Sequence, residues 1–459
     1  MKTISPVDGS VYVERAAATA AQIDATLQRA REAQRAWRNT SIPERAAIME
    51  RFCAAFEARS DAIASELSWQ MGRPIRYAPS EVRGTLERAR YMTSIAAEVL
   101  ADVEPGAKPQ FHRFIRREPL GVVFTVAAWN YPYLIAVNSV VPALLAGNAV
   151  VLKHSAQTPL CGERFAECLA AAGLPAGVFQ VLHLEHADTE RVIRDPRVDF
   201  VAFTGSVAGG HAVQKVAAER FIGVGLELGG CDPVYVRHDA DLAHAVENIV
   251  DGAYFNSGQS CCGLQRIYVH ESLYDRFAAG ATELVQKYTL GNSLDPATTL
   301  GPVVRSSAAD AIRAQIQASI QAGARPVIDE RAFPLSRAGT PYLAPQLLLD
   351  APPTSTVMRE EVFGPVAGVM KVRSDEQAIA LMNDNAFGLT AAVWSRDEAA
   401  ALAIGEQLQT GTFFLNRCDY LDPALAWVGV KDSGRGCTLP AVGFEHLTRP
   451  KSFHLRVTT

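Results

Sequence analysis

From Gly121 onward the sequence alternates short β-branched runs with helical stretches, and this alternation constrains the fold more than any other feature. The runs 122–126, 149–152, 178–182, 200–203 and 222–228 have strand length. Residues 132–145, 159–172 and 208–218 lie between them with helical character, the second stretch stopped by Gly173. Strand, helix, strand in repetition predicts a parallel sheet with helices on both faces. A second alternation starts near Pro233, with a helix over 242–255, a strand over 266–270 and a helix over 274–288, and continues past Pro365 and Gly388. It predicts a second α/β unit of similar size, in keeping with 459 residues being too many for one ordinary core.

Upstream, Ile23, Leu27, Ala30, Ala33 and Trp37 recur at helical spacing, and Pro43 after Ser41 and Ile42 opens another helix. These helices are expected to cover one face of the first sheet. The tail 451–457 alternates Ser, Phe, His, Leu, Arg and Val as an edge strand does. Residues 106–117 lack apolar periodicity, and together the two segments suggest a small sheet shared between subunits.

Composition narrows the function classes. With 48% hydrophobic and 20% charged residues the chain is globular, and a net charge of -5 without a basic stripe excludes nucleic acid as a partner. The first 14 residues lack the apolar stretch of a secretion signal, so a cytoplasmic protein is expected. The most apolar stretch, 140–152, contains Pro142 and Asn148 and is well short of about 20 residues, so no membrane crossing is expected. Eight cysteines without a CxxC pair are expected to be free thiols, one of them available for chemistry.

That cysteine is Cys261, in Gly258-Gln-Ser-Cys261-Cys262-Gly, a loop after a helix and before a strand where a ligand can reach a thiol. Thiolate attack on an aldehyde gives a thiohemiacetal, and loss of hydride leaves a thioester. The sequence requires an oxyanion site, a hydride acceptor and a base. Thirty-four positions earlier, Glu227 ends an apolar strand before Leu228-Gly-Gly230. Partial desolvation would raise its pKa enough for it to activate water. Asn130, in Trp129-Asn-Tyr-Pro132 between a strand and a helix, can aim an amide N–H at a developing alkoxide. Phe203-Thr-Gly205-Ser206 and Gly210 open a helix after a strand, where backbone N–H groups and the Ser206 hydroxyl can hold a pyrophosphate. Lys153, at a strand end, can reach a ribose or a phosphate. In Glu361-Val-Phe363-Gly-Pro, Glu361 can chelate ribose hydroxyls while Phe363 packs on a nicotinamide.

Taken singly, each motif has an ordinary structural explanation; their joint order and spacing do not. From about Ser5 to its end the chain resembles the aldehyde dehydrogenase superfamily. The match rests on Gly258-Gln-Ser-Cys261, Glu227-Leu-Gly-Gly, Trp129-Asn-Tyr-Pro, Phe203-Thr-Gly-Ser, Glu361-Val-Phe-Gly-Pro, Asn385-Ala-Phe-Gly-Leu and Lys431-Asp-Ser-Gly. The resemblance implies an α/β fold with a Rossmann-like NAD(P)-binding domain (1–100 and 120–228), a catalytic domain (229–445) and a small oligomerising sheet (101–119 and 446–459). It further implies an NAD- or NADP-dependent homodimer or homotetramer that oxidises a small-molecule aldehyde and needs no metal. Residue by residue, it makes Cys261 the nucleophile, Glu227 the base and Asn130 the oxyanion donor alongside the Cys261 N–H. It makes Trp129, Lys153, Gly205, Ser206, Gly210, Leu228, Glu361 and Phe363 cofactor contacts.

Three departures from the family pattern stand out. Ser139 replaces a lysine common on the helix after the Asn-aromatic-Pro turn, and Cys231 replaces another after Gly229-Gly230. Ala156 stands where NAD-preferring relatives place a glutamate that grips the adenosine ribose. This removes a repulsion against a 2′-phosphate, and Lys153, with His154 or Ser155, is expected to offer donors to such a phosphate. The substrate tunnel is expected to be lined by Tyr131, Ile135, Asn138, Cys262, Tyr420, Leu421 and Trp427. Its aromatic wall suits an apolar aldehyde, and Arg417 is expected to point to solvent or a neighbouring subunit. Two alternatives stay open: a CoA-acylating enzyme, which needs no water-activating Glu227, and an inactive structural or binding relative, which predicts losses among the three reacting groups.

Overall fold

The computed structural model describes residues 1–457. The first alternation forms a six-stranded sheet in the order Gly434–Arg435, Gly223–Glu227, Phe200–Thr204, Val122–Ala127, Ala149–His154, Phe179–Val181. All neighbours run parallel except Gly434–Arg435, a late strand that pairs antiparallel with Gly223–Glu227. The crossover helices Pro132–Leu145, Pro159–Ala171 and Val207–Ala217 fall within a residue or so of the predicted segments. Val122–Ala127 is buried along its whole length, as a central strand covered on both faces must be.

The second alternation gives a seven-stranded sheet, ordered Arg325–Pro326, Gln346–Leu349, Val366–Val372, Leu264–His270, Asp232–Val236, Thr390–Trp394, Thr412–Leu415. Only Arg325–Pro326 is antiparallel. The helices Ala20–Trp37 and Ile42–Glu57 form as predicted, each opened by a capping box, from Thr19 and Ser41. The apolar pattern does not signal the hairpin Lys2–Ile4 with Val11–Glu14, nor the helices Ser60–Met71 and Pro79–Val99. Phe52, Phe56 and Phe165 lock Ile42–Glu57 to the crossover helix Pro159–Ala171, with Phe52 and Phe165 stacked at 5.7 Å.

Phe111–Pro119 and Thr448–Arg456 pair antiparallel over nine residues each, with Phe114 stacked on Phe453 at 4.5 Å. Residues 458 and 459 of the expected small sheet lie outside the described residues. Among the described residues no helix is long and apolar enough to cross a membrane.

Two features of this topology place the site. Val122–Ala127 is followed in chain order by Ala149–His154 on one side, whereas Phe200–Thr204 flanks it on the other. The reversal opens a crevice at the carboxyl ends of these strands. Glu227 ends a strand of the first sheet, Asp232 begins one of the second, and Cys261 lies just before Leu264–His270. The carboxyl edge of one sheet therefore faces the amino edge of the other.

Candidate active site

The turn carrying Cys261 is wound against the usual backbone preference. After the helix Leu242–Tyr254, Asn256, Ser257 and Gly258 take φ of 53°, 56° and 69° in succession. A Cβ on Gly258 would lie 2.0 Å from the Gly364 carbonyl, so only glycine fits there. Side chains hold the strained pair: Ser257 Oγ donates to Gly301 O at 2.9 Å, and Asn256 Nδ2 donates to the carbonyls of Asn130 (3.1 Å) and Gln259 (3.2 Å). Gln259 Oε1 accepts from Val304 N at 2.8 Å. Cys261 emerges half-buried, while Cys262 is buried and its Sγ donates to Asp419 Oδ1 at 3.0 Å.

Asn130 is buried, and its Nδ2 donates to Gln259 O at 3.2 Å, two residues before Cys261. Its backbone carbonyl accepts from Arg73 Nη2 at 2.7 Å. Arg73 also donates Nε to Asn256 Oδ1 at 3.1 Å, lies 4.6 Å over the Tyr131 ring, and forms a fully buried ion pair with Glu81. Glu81 in turn accepts the N–H groups of Tyr133 (2.9 Å) and Leu134 (3.1 Å) in the first turn of Pro132–Leu145. One buried pair thus ties the Asn130 loop, the Cys261 turn and a helix start together.

Glu227 accepts from Thr438 Oγ1 at 2.7 Å and from Thr204 Oγ1 at 3.1 Å. Burial pushes its carboxyl above the usual glutamate range, with the two hydroxyls and the Arg88 guanidinium opposing part of that shift. Ser139 Oγ lies 3.1 Å from Thr125 Oγ1.

Cys261 and Glu227 line one cavity of ≈ 330 Å³, together with all seven predicted substrate residues: Tyr131, Ile135, Asn138, Cys262, Tyr420, Leu421 and Trp427. Its wall is more polar than the aromatic residues suggest, because Arg88, Ser260 and Asp419 also line it. Burial pushes the Asp419 carboxyl up to about 6. Sequence reasoning misses Arg88. The only signal is that Ser80, Gly84 and Arg88 recur every four residues on one face of Pro79–Val99, where small and polar residues interrupt an apolar pattern. Arg417 is exposed, as expected, and stacks 3.7 Å from the Tyr420 ring centre, while the Tyr420 hydroxyl donates to Glu87 at 2.8 Å.

Lys153, Gly205 and Ser206 lie at the carboxyl ends of first-sheet strands, while Glu361 reaches Gly230 and Phe363 reaches Trp129. Ser206 caps Val207–Ala217, its Oγ accepting from Gly209 N at 3.2 Å, so the hydroxyl sits at the helix N-terminus with Gly205 beside it. A Cβ on Gly210 would lie 2.7 Å from the Leu228 side chain, so glycine lets the helix approach the strand end. Glu361 accepts from Gly230 N at 3.0 Å, and burial pushes its carboxyl up to about 7. Trp129 meets Phe363 edge-on, 5.6 Å between ring centres. Lys153 is the penultimate residue of Ala149–His154, and burial lowers its pKa, partly offset by Glu185. A helix N-terminus for phosphate, a carboxylate with one backbone donor for ribose hydroxyls and an aromatic pair for a flat ring together fit a nicotinamide dinucleotide.

His154 departs from expectation. It is buried; its Nε2 donates to Pro132 O at 3.1 Å, and its Nδ1 accepts from Ser155 N at 2.9 Å and Thr158 Oγ1 at 3.0 Å. Burial drives its pKa down to about 4, so it is neutral and internally satisfied, and cannot serve a 2′-phosphate. Ser155 Oγ accepts from Gln157 N at 3.2 Å, while Ala156 is exposed.

Comparison with known proteins agrees with this geometry along the whole chain. Residues 1–453 match the model of the aldehyde dehydrogenase family. A succinate-semialdehyde dehydrogenase [NADP(+)] of Mycobacterium avium is 33% identical over 453 residues, covering 98% of this chain and 95% of that protein. The structure of an NADP-dependent glyceraldehyde-3-phosphate dehydrogenase from Bacillus halodurans complexed with NADP superposes with a TM-score of 0.93 at 30% identity, covering 100% of this chain and 96% of that one. An NAD-dependent aldehyde dehydrogenase from Sinorhizobium meliloti superposes with a TM-score of 0.94 at 32% identity, covering 100% and 92%. A cysteine on a strained turn, a desolvated glutamate across the cavity and a full-length match lead to one assignment: this chain belongs to the aldehyde dehydrogenase family.

Proposed function

We propose that the chain oxidises an aldehyde to its carboxylic acid through a thioester on Cys261 and hydrolyses that thioester with Glu227, using NAD or NADP. The observation that carries this reading is that Cys261 and Glu227 line the same cavity. Cys261 Sγ attacks the carbonyl carbon, and the oxygen becomes an alkoxide beside the Cys261 N–H and Asn130 Nδ2, whose second N–H has no partner among the described residues. The nicotinamide, when bound, supplies the hydride acceptor. Glu227 then takes a proton from water, the resulting hydroxide attacks the thioester carbon, and the C–S bond breaks to release the acid and the Cys261 thiolate. Thr204 and Thr438 orient the carboxylate for that transfer without neutralising it.

The presence of Glu227 in the cavity favours hydrolysis over transfer to CoA, and the presence of all three reacting groups disfavours an inactive relative. The Mycobacterium avium relative is named for succinate semialdehyde, which makes a four-carbon semialdehyde the first substrate to test. We assign residues 1–100 and 120–228 to cofactor binding, 229–445 to catalysis, and 101–119 with 446–459 to assembly of a cytoplasmic homodimer or homotetramer. A two-stranded ribbon is only marginally stable alone, which supports completion of the Phe111–Pro119 and Thr448–Arg456 pair by another subunit.

The test is a pair of variants. Cys261→Ala abolishes cofactor reduction by aldehyde while the protein stays folded, whereas Cys262→Ala keeps most activity. Substantial turnover in Cys261→Ala would remove this cysteine from the reaction.

A further inference from the structure

Arg88 is 7% exposed and lines the catalytic cavity, yet it forms no ion pair within 4 Å among the described residues. The contrast with Arg73, whose buried guanidinium is matched by Glu81, is direct. A buried cation without an anion is costly, and proteins retain one where a ligand completes it. The two carboxylates whose charge acts on Arg88 are otherwise engaged. Glu227 is held by Thr204 and Thr438, and Glu81 by Arg73 and two backbone amides.

The orientation of the guanidinium is fixed. Nη1 donates to Leu134 O at 2.8 Å and to Asn138 Oδ1 at 3.2 Å, both on Pro132–Leu145. Gly84, one turn earlier, lets the two helices approach, since a Cβ there would lie 2.8 Å from Leu134 Cδ2. Nε and Nη2 have no partner among the described residues, and neither is enclosed by protein. That edge of a guanidinium is the planar fork that takes both oxygens of a carboxylate. Two further carboxylates line the cavity: Asp419 is bonded to Ser260 Oγ and Cys262 Sγ, both at 3.0 Å, and the exposed Glu87 accepts from the Tyr420 hydroxyl at 2.8 Å. Arg88 and the reacting Cys261 line the same cavity.

We propose that Arg88 receives a carboxylate at the far end of the substrate, so that the cavity selects short aldehyde acids over neutral aldehydes of equal length. The proposal rests on the aldehyde-oxidising reading above and assigns its specificity to one residue. Selectivity is read as the ratio of kcat/KM for a four-carbon aldehyde acid to that for butanal. Two charge-assisted hydrogen bonds predict that this ratio falls about 100-fold in Arg88→Gln, chiefly through KM of the acid. Arg88→Lys, which keeps the charge and loses the fork, should fall between. If Arg88 only bridges two helices, both substrates suffer alike and the ratio does not move, which overturns the proposal.

A second arm needs no turnover: succinate, the four-carbon diacid, should raise the melting temperature of the wild-type protein and not that of Arg88→Gln. Equal shifts in both, or none in the wild type, overturn the receptor. Wild-type protein that oxidises neither aldehyde, yet binds succinate through Arg88, would instead overturn the dehydrogenase reading and leave the receptor standing.

Discussion

Glu81→Ala tests whether one buried ion pair organises the active site. Glu81 is 0% and Arg73 1% exposed, so deleting the carboxylate leaves a guanidinium enclosed without a counter-charge. Breaking a buried pair from one side costs about 3–5 kcal/mol. The same deletion removes the acceptor for the N–H groups of Tyr133 and Leu134, a loss comparable to that of a helix N-cap, about 0.5–2 kcal/mol. Both effects pass through one side chain and do not simply add, so the expected loss is about 4 kcal/mol. A chain with two large sheets need not unfold in one step, so the assay should be local. Deuterium exchange at the Tyr133 and Leu134 amides should accelerate about a thousandfold. Glu81→Gln, which keeps an acceptor for the helix and loses the charge, should give an intermediate value. Because Arg73 also holds the Asn130 carbonyl, kcat should fall in both variants. Exchange within about fivefold of wild type in Glu81→Ala, under 1 kcal/mol, would refute the reasoning.

Two further predictions concern catalysis and cofactor choice. Burial raises the Glu227 pKa, and hydrolysis needs its ionised form, so steady-state turnover should fall as pH drops through a value above the ordinary glutamate range. Glu227→Gln should abolish that acid limb and show a burst of reduced cofactor followed by slow acid release; normal turnover would make Glu227 a structural carboxylate. At the adenosine end, NADP should be accepted at least comparably with NAD, and Ala156→Glu should shift the ratio of efficiencies towards NAD by about 10- to 100-fold, the worth of charge-assisted bonds to the ribose. Thr3 Oγ1 donates to Ala156 O at 2.8 Å and fixes the turn, so the new side chain should emerge at the exposed position that Ala156 occupies. An unchanged ratio, or a wild-type preference for NAD of about a hundredfold or more, would refute it.

The sheets were legible because their strands are runs of β-branched residues separated by helices of crossover length. The hairpin Lys2–Ile4 with Val11–Glu14 is too short to carry a pattern of its own. Pro79–Val99 hides for a different reason: Glu81, Thr85 and Arg88 occupy its buried face, so the apolar stripe that would announce a helix is broken. The position of His154 follows from strand geometry. Side chains alternate across a strand, so His154 leaves the opposite face from Lys153, and the two cannot reach one phosphate together.

What the sequence could not sort was charge. Arg73 and Arg88 look alike in one dimension, as do Glu81 and Glu227, and each passes for an ordinary surface residue. In the folded chain they separate by partnership. Arg73 and Glu81 neutralise one another and also bond to the Asn130 carbonyl, the Asn256 amide and the start of Pro132–Leu145, which makes them scaffold. Glu227 is held by two neutral hydroxyls, Glu361 by one amide, and Arg88 by a carbonyl and an amide oxygen. None of these three is neutralised by a direct counter-ion among the described residues. Burial moves both of these carboxyls upward in pKa, the displacement that a base acting near neutral pH requires. The folded protein thus sets its charges for chemistry and recognition apart from those for architecture by leaving the first group unpaired.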